Sequence, residues 1–362
     1  MTPELGDRIR GCLLAGAVGD ALGAPYEFAS WAVISSTLGA AGVTDVLAPG
    51  HFTDDTQMTL FTIEALIHAG LQLSATGVCH PPTHLHDSYL RWLTTQGFEA
   101  EVVATMLSAG SRIDGGFLVN QPILHRQEAP GMTCLSALES GDAGTASHPI
   151  NDSKGCGGVM RAAPAGFLTP GVPVGGSAEE AYAAGVECAA ITHGHPEGFH
   201  AAGLFAAMIH LIMAGASIGE AYESSKHLTT EVLREHVGRA IEVGALAPPS
   251  PEVIDSELGA GWVAEEALAI AVACAVNAPD LESGLLASVN HSGDTDSTGS
   301  ICGNLLGAAH GVAAIPITWI NALDGADLIE MIADDCVLWA VGEPRSDVPD
   351  SDFAHLFGRY VA

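Results

Sequence analysis

The chain has 362 residues, of which 48% are hydrophobic and 43 are glycine, a composition typical of a close-packed globular protein and not of a disordered one. Its 12 Lys and Arg residues stand against 43 Asp and Glu residues, which gives a formal net charge of −31. Such a charge repels nucleic acids and anionic membranes and attracts cations or basic protein surfaces. The alternative is that the acidity reflects the solvent or the general proteome of the host and says nothing about partners.

Helical periodicity recurs along the chain, whereas the alternating Val, Ile and Thr runs typical of strands are hard to find. We therefore predict an all-α fold. The predicted helices are Asp7–Val18, Thr56–Ala69, Ser88–Leu93, Glu179–Ile191, Phe199–Ala214, Thr230–Val243, Val263–Ala275 and Thr298–Val312. No segment between them is a convincing interdomain linker, so we expect one domain covering residues 1–362.

The first predicted helix contains an apolar run, Cys12 to Val18, that superficially resembles a signal peptide. The run is short and Asp20 interrupts its continuation, so a core helix is favoured. No stretch approaches the roughly 18 apolar residues of a membrane span. The eight cysteines stand singly, without a C-x-x-C pair, which predicts reduced thiols and a cytoplasmic protein that does not bind membranes.

Several isolated polar residues carry weaker signals. Glu27 follows the first helix in an otherwise apolar loop, where it is either a general acid or base with a shifted pKa or an ordinary surface residue. The Pro-rich segment His80–His86 predicts a loop with solvated histidines. Gly215 to Gly219 matches G-x-S-x-G but follows a helix instead of a strand, so we interpret Ser217 as a helix-capping residue.

Two short polar segments concentrate carboxylates, each at the start of an apolar helical run. We call them the acidic islands: Thr53 to Thr56 and Asp294 to Ser297. One interpretation is that both cap helix starts. The other is that the fold brings them together, in which case unit charges near 4 Å repel by about 4 kcal/mol at an effective dielectric of 20 and require a cation. Oxygen ligands of this kind suit Mg²⁺, Mn²⁺ or Ca²⁺ and suit zinc poorly.

The segment from Lys154 to Arg161 contains Gly155, Gly157 and Gly158 and leads into a short helical start. Glycines let a ligand approach backbone N–H groups, and N–H groups at a helix start bind phosphate. The segment is not a Walker A loop, because the lysine precedes the glycines. His193-Gly194-His195 also attracts notice, but no third His or Cys stands at a spacing typical of zinc sites.

Five sequence blocks, taken in order, resemble the ADP-ribosylglycohydrolase family. They are Gly16 to Gly23, Phe52 to Thr56, Gly155 to Arg161, Thr192 to Pro196 and Ser292 to Gly299. The resemblance covers about Asp7 to Val312. It implies a compact, orthogonal bundle of many helices with two Mg²⁺ or Mn²⁺ ions at the mouth of an ADP-ribose cleft.

The resemblance also implies roles for individual residues, carried over block by block. The implied metal ligands are Thr53, Asp54, Asp55, Asp294, Asp296 and Ser297. The implied substrate-binding residues are Gly155, Gly157, Gly158 and Met160 at the pyrophosphate, His193 as a further donor, and Asp87 by a looser match. Asp55 or Glu27 would handle the proton in catalysis. Cys156 departs from relatives, which often carry Asn or another polar residue at this place.

The form of the second acidic island and of the Thr-His-x-His-Pro block is more similar to the ADP-ribosylarginine hydrolase branch than to the ADP-ribosylserine branch. We therefore expect a monomeric hydrolase that releases ADP-ribose from an ADP-ribosylated protein, with arginine as the acceptor. Three alternatives remain open: another acceptor such as serine, O-acetyl-ADP-ribose or a nucleobase; a non-catalytic, crystallin-like member that binds ADP-ribose; and a Mg²⁺-dependent nucleotide phosphohydrolase.

Overall fold

The structure, a computed structural model, describes residues 3–168, 176–341 and 351–360, and within these ranges it holds α-helices and short 3₁₀ helices but no β-strand. The all-α prediction is therefore confirmed. The helices α1 to α17, in chain order, are Leu5–Gly23, Trp31–Leu38, Asp54–Thr76, Pro81–Thr95, Ala100–Ala104, Met132–Glu139, Ala178–Ala190, Pro196–Met213, Ile218–Ser225, Glu231–Val243, Pro251–Glu257, Ala264–Ala275, Leu281–Val289, Thr295–His310, Ile317–Ala322, Ala326–Val341 and Ser351–Tyr360.

Short polar side chains begin many of these helices by accepting a hydrogen bond from a backbone N–H of the first turn, which has no partner inside the helix. The residues that do so are Ser30, Thr53, Ser177, Ser217, Thr230, Asp280 and Asp294. The prediction that Ser217 is a cap is thus confirmed: it begins α9 and forms a reciprocal capping box with Glu220.

The loop predicted for His80–His86 is wrong, because α4 begins at Pro81 and runs through the segment. Proline is well tolerated in the first turn of a helix, where its missing N–H would have no helical partner. The prediction of solvated histidines is correct for His80, which is exposed, but wrong for His86, which is buried.

Helices α1 and α14 pack against each other in antiparallel directions at unusually short range. Small residues at every fourth position form this seam, which we call the α1–α14 seam; they are Gly11, Ala15, Gly19, Gly299, Gly303 and Gly307. A Cβ added at Gly303 would lie 2.0 Å from the carbonyl oxygen of Ala15, so no side chain fits there. The seam places the end of α1 beside the start of α14.

The buried guanidinium of Arg161 anchors the glycine-rich segment to the core. It lies 4.2 Å from the centre of the Tyr89 ring and donates to the Cys188 carbonyl at 3.0 Å and to the Thr192 hydroxyl at 2.6 Å. These contacts connect α4, the glycine-rich segment and the end of α7.

No helix in the described ranges combines the length and the apolarity that crossing a bilayer requires.

Candidate metal centre and active site

The two acidic islands, far apart in the sequence, meet where α3 and α14 begin. Across the gap between them the Ser297 hydroxyl donates to Asp55 Oδ2 at 3.4 Å. Thr53 and Asp294 cap α3 and α14, as the first interpretation predicted. The two islands also lie together, as the second interpretation required. Seven side chains make up what we call the carboxylate cluster: Glu27, Thr53, Asp54, Asp55, Asp294, Asp296 and Ser297. All except Glu27 are buried.

Asp20, on α1, holds the start of α3 in place. Its carboxylate accepts the backbone N–H groups of Thr53 and Thr56 at 2.9 and 3.0 Å and the Thr56 hydroxyl at 2.6 Å. These are N–H groups for which the helix itself offers no acceptor. Asp20 therefore orients the turn that carries Asp54 and Asp55. This role of Asp20 was not predicted, although a lone carboxylate in an apolar helix was the available signal.

Further hydrogen bonds fix one aspartate of each island. Asp54 Oδ2 accepts from the backbone N–H of Gly131 at 2.9 Å. Asp294 caps α14 by accepting from the Ser297 N–H at 3.3 Å, and its other oxygen accepts from the Cys156 thiol at 2.8 Å. The carboxylates are thus held at their positions by contacts outside the cluster as well as within it.

Glu27 reaches the cluster from the turn after α1. Carboxylate oxygens of Glu27, Asp294 and Asp296 all lie within 4.8 Å of one another. The turn is tied to the second island by two backbone hydrogen bonds, Phe28 N–H to Gly293 O and Gly293 N–H to Ala29 O, both 3.1 Å. Phe28 has a φ of 68°, a left-handed conformation that is uncommon for a bulky residue and is sustained by such contacts.

Burial and mutual repulsion make the cluster costly when no cation is present. Burial first, and then the charge of Asp296, raise the pKa of Asp20 to about 7 and that of Glu27 to about 8. Burial is also the main cause that raises the pKa of Asp54 to about 8 and those of Asp55 and Asp294 well above the usual range. Each shift means that the charged form is disfavoured in this environment.

Within the carboxylate cluster, two buried oxygens have no hydrogen-bond partner among the described residues: Asp55 Oδ1 and Asp296 Oδ1. An unsatisfied buried acceptor costs roughly 1–3 kcal/mol, so such atoms call for an unseen partner. Several carboxylates and two hydroxyls that converge on one space form the oxygen-rich ligand set that hard divalent cations prefer. The residues of the cluster therefore fit Mg²⁺ or Mn²⁺.

The glycine-rich segment lies against His193. A Cβ at Gly157 would stand 3.1 Å from His193 Cε1 and 3.0 Å from Cys134 Sγ, and a Cβ at Gly158 would stand 2.9 Å from that of Ala189. His193 is buried, its Nδ1 shares a 2.8 Å hydrogen bond with the Thr192 hydroxyl, and burial lowers its pKa to about 3. The imidazole is therefore neutral, and it packs against the glycine-rich segment.

The remaining predicted substrate residues lie in different surroundings. Gly155 borders the half-buried Cys156, whose thiol touches the cluster, whereas the side chain of Met160 is buried in the core. Asp87 accepts from the N–H of Ser108 and lines a cavity of about 1000 Å³ that no member of the carboxylate cluster lines. Whether these residues bind substrate stays a prediction.

Comparison with known proteins gives a consistent result. The chain matches the ADP-ribosylglycohydrolase family over residues 1–347. It is similar to the ADP-ribosyl-(dinitrogen reductase) glycohydrolase of Rhodospirillum rubrum, with 27% identity covering 89% of this chain and 92% of the relative. It is also similar to the ADP-ribosylarginine hydrolase Tri1 of Pseudomonas putida, with 24% identity covering 92% and 79%.

A third relative, the mouse ADP-ribosylhydrolase ARH3, is 24% identical and covers 90% of each chain. Among solved structures, an ADP-ribosylglycohydrolase-related protein complex superposes with a TM-score of 0.61, covering 93% of this chain and 99% of that one at 24% identity. This likeness agrees with the helical fold described above.

Proposed function

Since the chain belongs to the ADP-ribosylglycohydrolase family, we propose that it is a divalent-cation-dependent hydrolase that releases ADP-ribose from modified arginine side chains. The observation that carries the proposal is the carboxylate cluster with its two unpartnered buried oxygens. In this proposal Thr53, Asp54, Asp55, Asp294, Asp296 and Ser297 hold two Mg²⁺ or Mn²⁺ ions. When bound, such ions would orient the ribose hydroxyls and lower the pKa of water at the site.

The carboxylates of the cluster serve a second purpose once substrate is bound. Cleavage of a glycosidic bond develops positive charge at the anomeric carbon, and nearby carboxylates stabilise that charge. Asp20 contributes indirectly, because its hydrogen bonds to Thr53 and Thr56 keep the first acidic island in place. Gly157 and Gly158 would receive the pyrophosphate on their backbone, with His193 holding the segment in position.

Of the two candidates for proton transfer, Glu27 is better placed than Asp55. Asp55 is buried and its Oδ2 already interacts with the hydroxyls of Thr53 and Ser297. Glu27 is only partly buried and lies in a turn at the edge of the cluster, where solvent and substrate can reach it. We assign Glu27 the proton transfer between water and the leaving group, and Asp55 the binding of cations.

Arginine is proposed as the acceptor on two grounds. One relative is named an ADP-ribosylarginine hydrolase, and the form of the second acidic island and of the Thr-His-x-His-Pro block predicts the same branch. A guanidinium is also the cationic acceptor that an acidic cleft and a net charge of −31 would attract.

The eight free cysteines, six of them buried, fit the cytoplasmic location expected from the sequence.

The test is incubation of the purified chain with arginine-linked and serine-linked ADP-ribosyl substrates, with Mg²⁺, with Mn²⁺ and with a chelator, followed by chromatographic identification of the product. We expect intact ADP-ribose from the arginine conjugate only when a divalent cation is present. Asp54→Ala and Asp296→Ala should abolish turnover while the proteins stay folded. Asp334→Asn is the control, since this exposed carboxylate pairs with Arg10 on the surface.

The product and its source separate the alternatives. Release from the serine conjugate alone would overturn the proposed acceptor but not the reaction. AMP as the product would indicate pyrophosphate cleavage. Turnover retained in both aspartate variants would contradict the role of the cluster, and binding of ADP-ribose without any turnover would indicate a non-catalytic member of the family.

A further inference from the structure

Cys156 brings a sulfur atom into the carboxylate cluster. Its thiol donates to Asp294 Oδ2 at 2.8 Å, and the Ser297 hydroxyl lies 3.6 Å from Cys156 Sγ. Both neighbours belong to the second acidic island. One sulfur and two oxygens from three side chains therefore meet at one point of the proposed cation site.

Contacts on two sides hold the backbone at Cys156. The Cys156 N–H donates to the Trp262 carbonyl at 3.2 Å, and the next residue, Gly157, packs against Cys134 and His193 so closely that a Cβ would contact both. Cys156 is therefore fixed on a segment anchored from two sides. With the backbone held, only rotation about the Cα–Cβ bond of Cys156 moves the thiol relative to Asp294.

The same space contains an acceptor without a donor, which is an observation independent of the cysteine. Asp55 is buried, its Oδ2 faces the Ser297 hydroxyl, and its Oδ1 has no partner among the described residues. Ser297 thus lies between the Asp55 carboxylate and the Cys156 sulfur. A cation bound beside Ser297 is within reach of both.

We propose that Cys156 Sγ, together with Asp294 and Ser297, is a ligand for a thiophilic divalent ion of the Zn²⁺ or Cd²⁺ class. The inference rests on the cation site of the proposed function and extends it to soft ions. On binding, the S–H bond breaks, the proton that now faces Asp294 passes to solvent, and a sulfur–metal bond forms without any change of oxidation state. Such ions form bonds of about 2.3 Å to sulfur and about 2.0–2.2 Å to oxygen, so the 2.8 Å contact between Cys156 and Asp294 would open when the ion binds.

Thiolate ligands select soft ions, whereas carboxylate oxygens select Mg²⁺ and Mn²⁺. A site with both kinds of ligand therefore binds Zn²⁺ or Cd²⁺ in competition with the harder ions. Replacing the Cys156 sulfur by oxygen should therefore change the relative affinities for Cd²⁺ and Mn²⁺ more than it changes the ability of the site to bind a cation.

The experiment is titration of the purified full chain with Cd²⁺ while the ultraviolet thiolate-to-metal charge-transfer absorption is recorded. The variants are Cys156→Ser and, as the matched control, Cys79→Ser, because Cys79 is the other cysteine that is not fully buried. We expect the absorption in the native chain and in the control, and its loss in Cys156→Ser. The ratio of Cd²⁺ to Mn²⁺ affinity should fall by about tenfold or more in Cys156→Ser.

Equal absorption in Cys156→Ser and the native chain would overturn the inference, as would loss of the absorption in Cys79→Ser instead. Mn²⁺ binding, followed by electron paramagnetic resonance, separates this failure from that of the proposed function. If the native chain binds no Mn²⁺, the cation site itself is wrong. If the native chain binds Mn²⁺ but the Cd²⁺ absorption does not depend on Cys156, only the inference about the sulfur ligand fails. Cys156→Ala serves as the second variant if thermal melting shows that the serine variant is unfolded.

Discussion

Individual carboxylates in this site face opposed demands. Asp20 satisfies N–H groups of Thr53 and Thr56 that would otherwise lack acceptors, yet its charge adds to the repulsion within the cluster. Asp296 is buried with one oxygen unpartnered and raises the pKa of several neighbours. Charges arranged in this way favour cation binding at the expense of the stability of the cation-free protein.

Asp296→Asn should therefore have opposite effects on stability and on binding. Without cations at pH 8, we expect a gain of roughly 1–3 kcal/mol in the free energy of unfolding, less than the ~4 kcal/mol of two full charges 4 Å apart because the groups are partly protonated. With Mn²⁺, the native chain should gain stability and the variant should not. Urea denaturation with and without Mn²⁺ measures both.

Asp334→Asn is again the control, since its side chain is 62% exposed and an exposed ion pair contributes little. Destabilisation of the cation-free Asp296→Asn protein would contradict the idea that repulsion dominates this position.

The stability of the cation-free protein should fall as the pH rises. Asp20, with a pKa of about 7, and Glu27 and Asp54, each with a pKa of about 8, keep their protons in the folded state above the pH at which the unfolded chain releases them. These raised pKa values stabilise the folded protein by their full amount below about pH 4, which is the pKa of such groups in the unfolded chain. The stabilisation is lost as the pH rises from about 4 to about 8, the pKa in the folded protein.

Thermal melting from pH 5 to pH 8.5 in the presence of a chelator tests this direction. Mn²⁺ should raise the melting temperature more at pH 8 than at pH 6, since bound cations require deprotonated carboxylates. A cation effect that shrinks with rising pH would contradict the assignment of these carboxylates as ligands.

The acidic islands could be found in the sequence because their carboxylates are adjacent and begin apolar helical runs. Asp20 could not be given its role, because capping a different helix depends on how α1 lies against α3. Nor does the sequence show that Cys156 Sγ lies 2.8 Å from Asp294, 138 residues away. Contacts that arise from packing between distant elements have no local pattern.

Among the helices, α1 and α14 show most directly how the fold builds the site. Their seam consists of glycines and an alanine, because any larger residue would collide with the facing backbone. The end of α1 carries Asp20 and leads to Glu27, and the start of α14 carries the second acidic island. The separation of the two helices therefore sets the distances within the cluster.

Gly303→Ala should destabilise the protein by about 1–3 kcal/mol, because the added Cβ would lie 2.0 Å from the Ala15 carbonyl and force the helices apart. Gly219→Ala in α9 is the matched control: its Cβ would meet only Val276 at an ordinary 3.7 Å, and alanine favours a helix by roughly 0.5–1 kcal/mol. Urea denaturation of both variants provides the comparison. Equal stability of the two would show that the seam tolerates a methyl group.

Most of the longer helices were predictable because their apolar residues recur with helical spacing, as in α3, α8 and α10, although α16, of 16 residues, was missed. Short helices such as α5, of five residues, and α15, of six, escaped because so few residues cannot display a period. The start of α4 was missed because a Pro-Pro pair was interpreted as a loop, although proline is also compatible with a first helical turn.

At the scale of the whole molecule, a net charge of −31 disfavours the compact state through self-repulsion. Raising NaCl from about 20 mM to about 300 mM should therefore increase the free energy of unfolding of the cation-free protein, because the Debye length shortens below about 10 Å. Choline chloride at equal ionic strength is the control, since its cation is too bulky for the cluster. A gain with NaCl alone would indicate specific Na⁺ binding instead of screening.

The α1–α14 seam also has a consequence for the order of folding. Thr295, at the start of α14, hydrogen-bonds to the carbonyl of Gly23, 272 residues earlier in the chain. During synthesis the first acidic island leaves the ribosome long before its partner exists, and contacts of such separation form slowly because loop closure comes first. A nascent chain thus carries only half of the carboxylate cluster, and binding of the proposed cations would be a late event that reports completion of the fold.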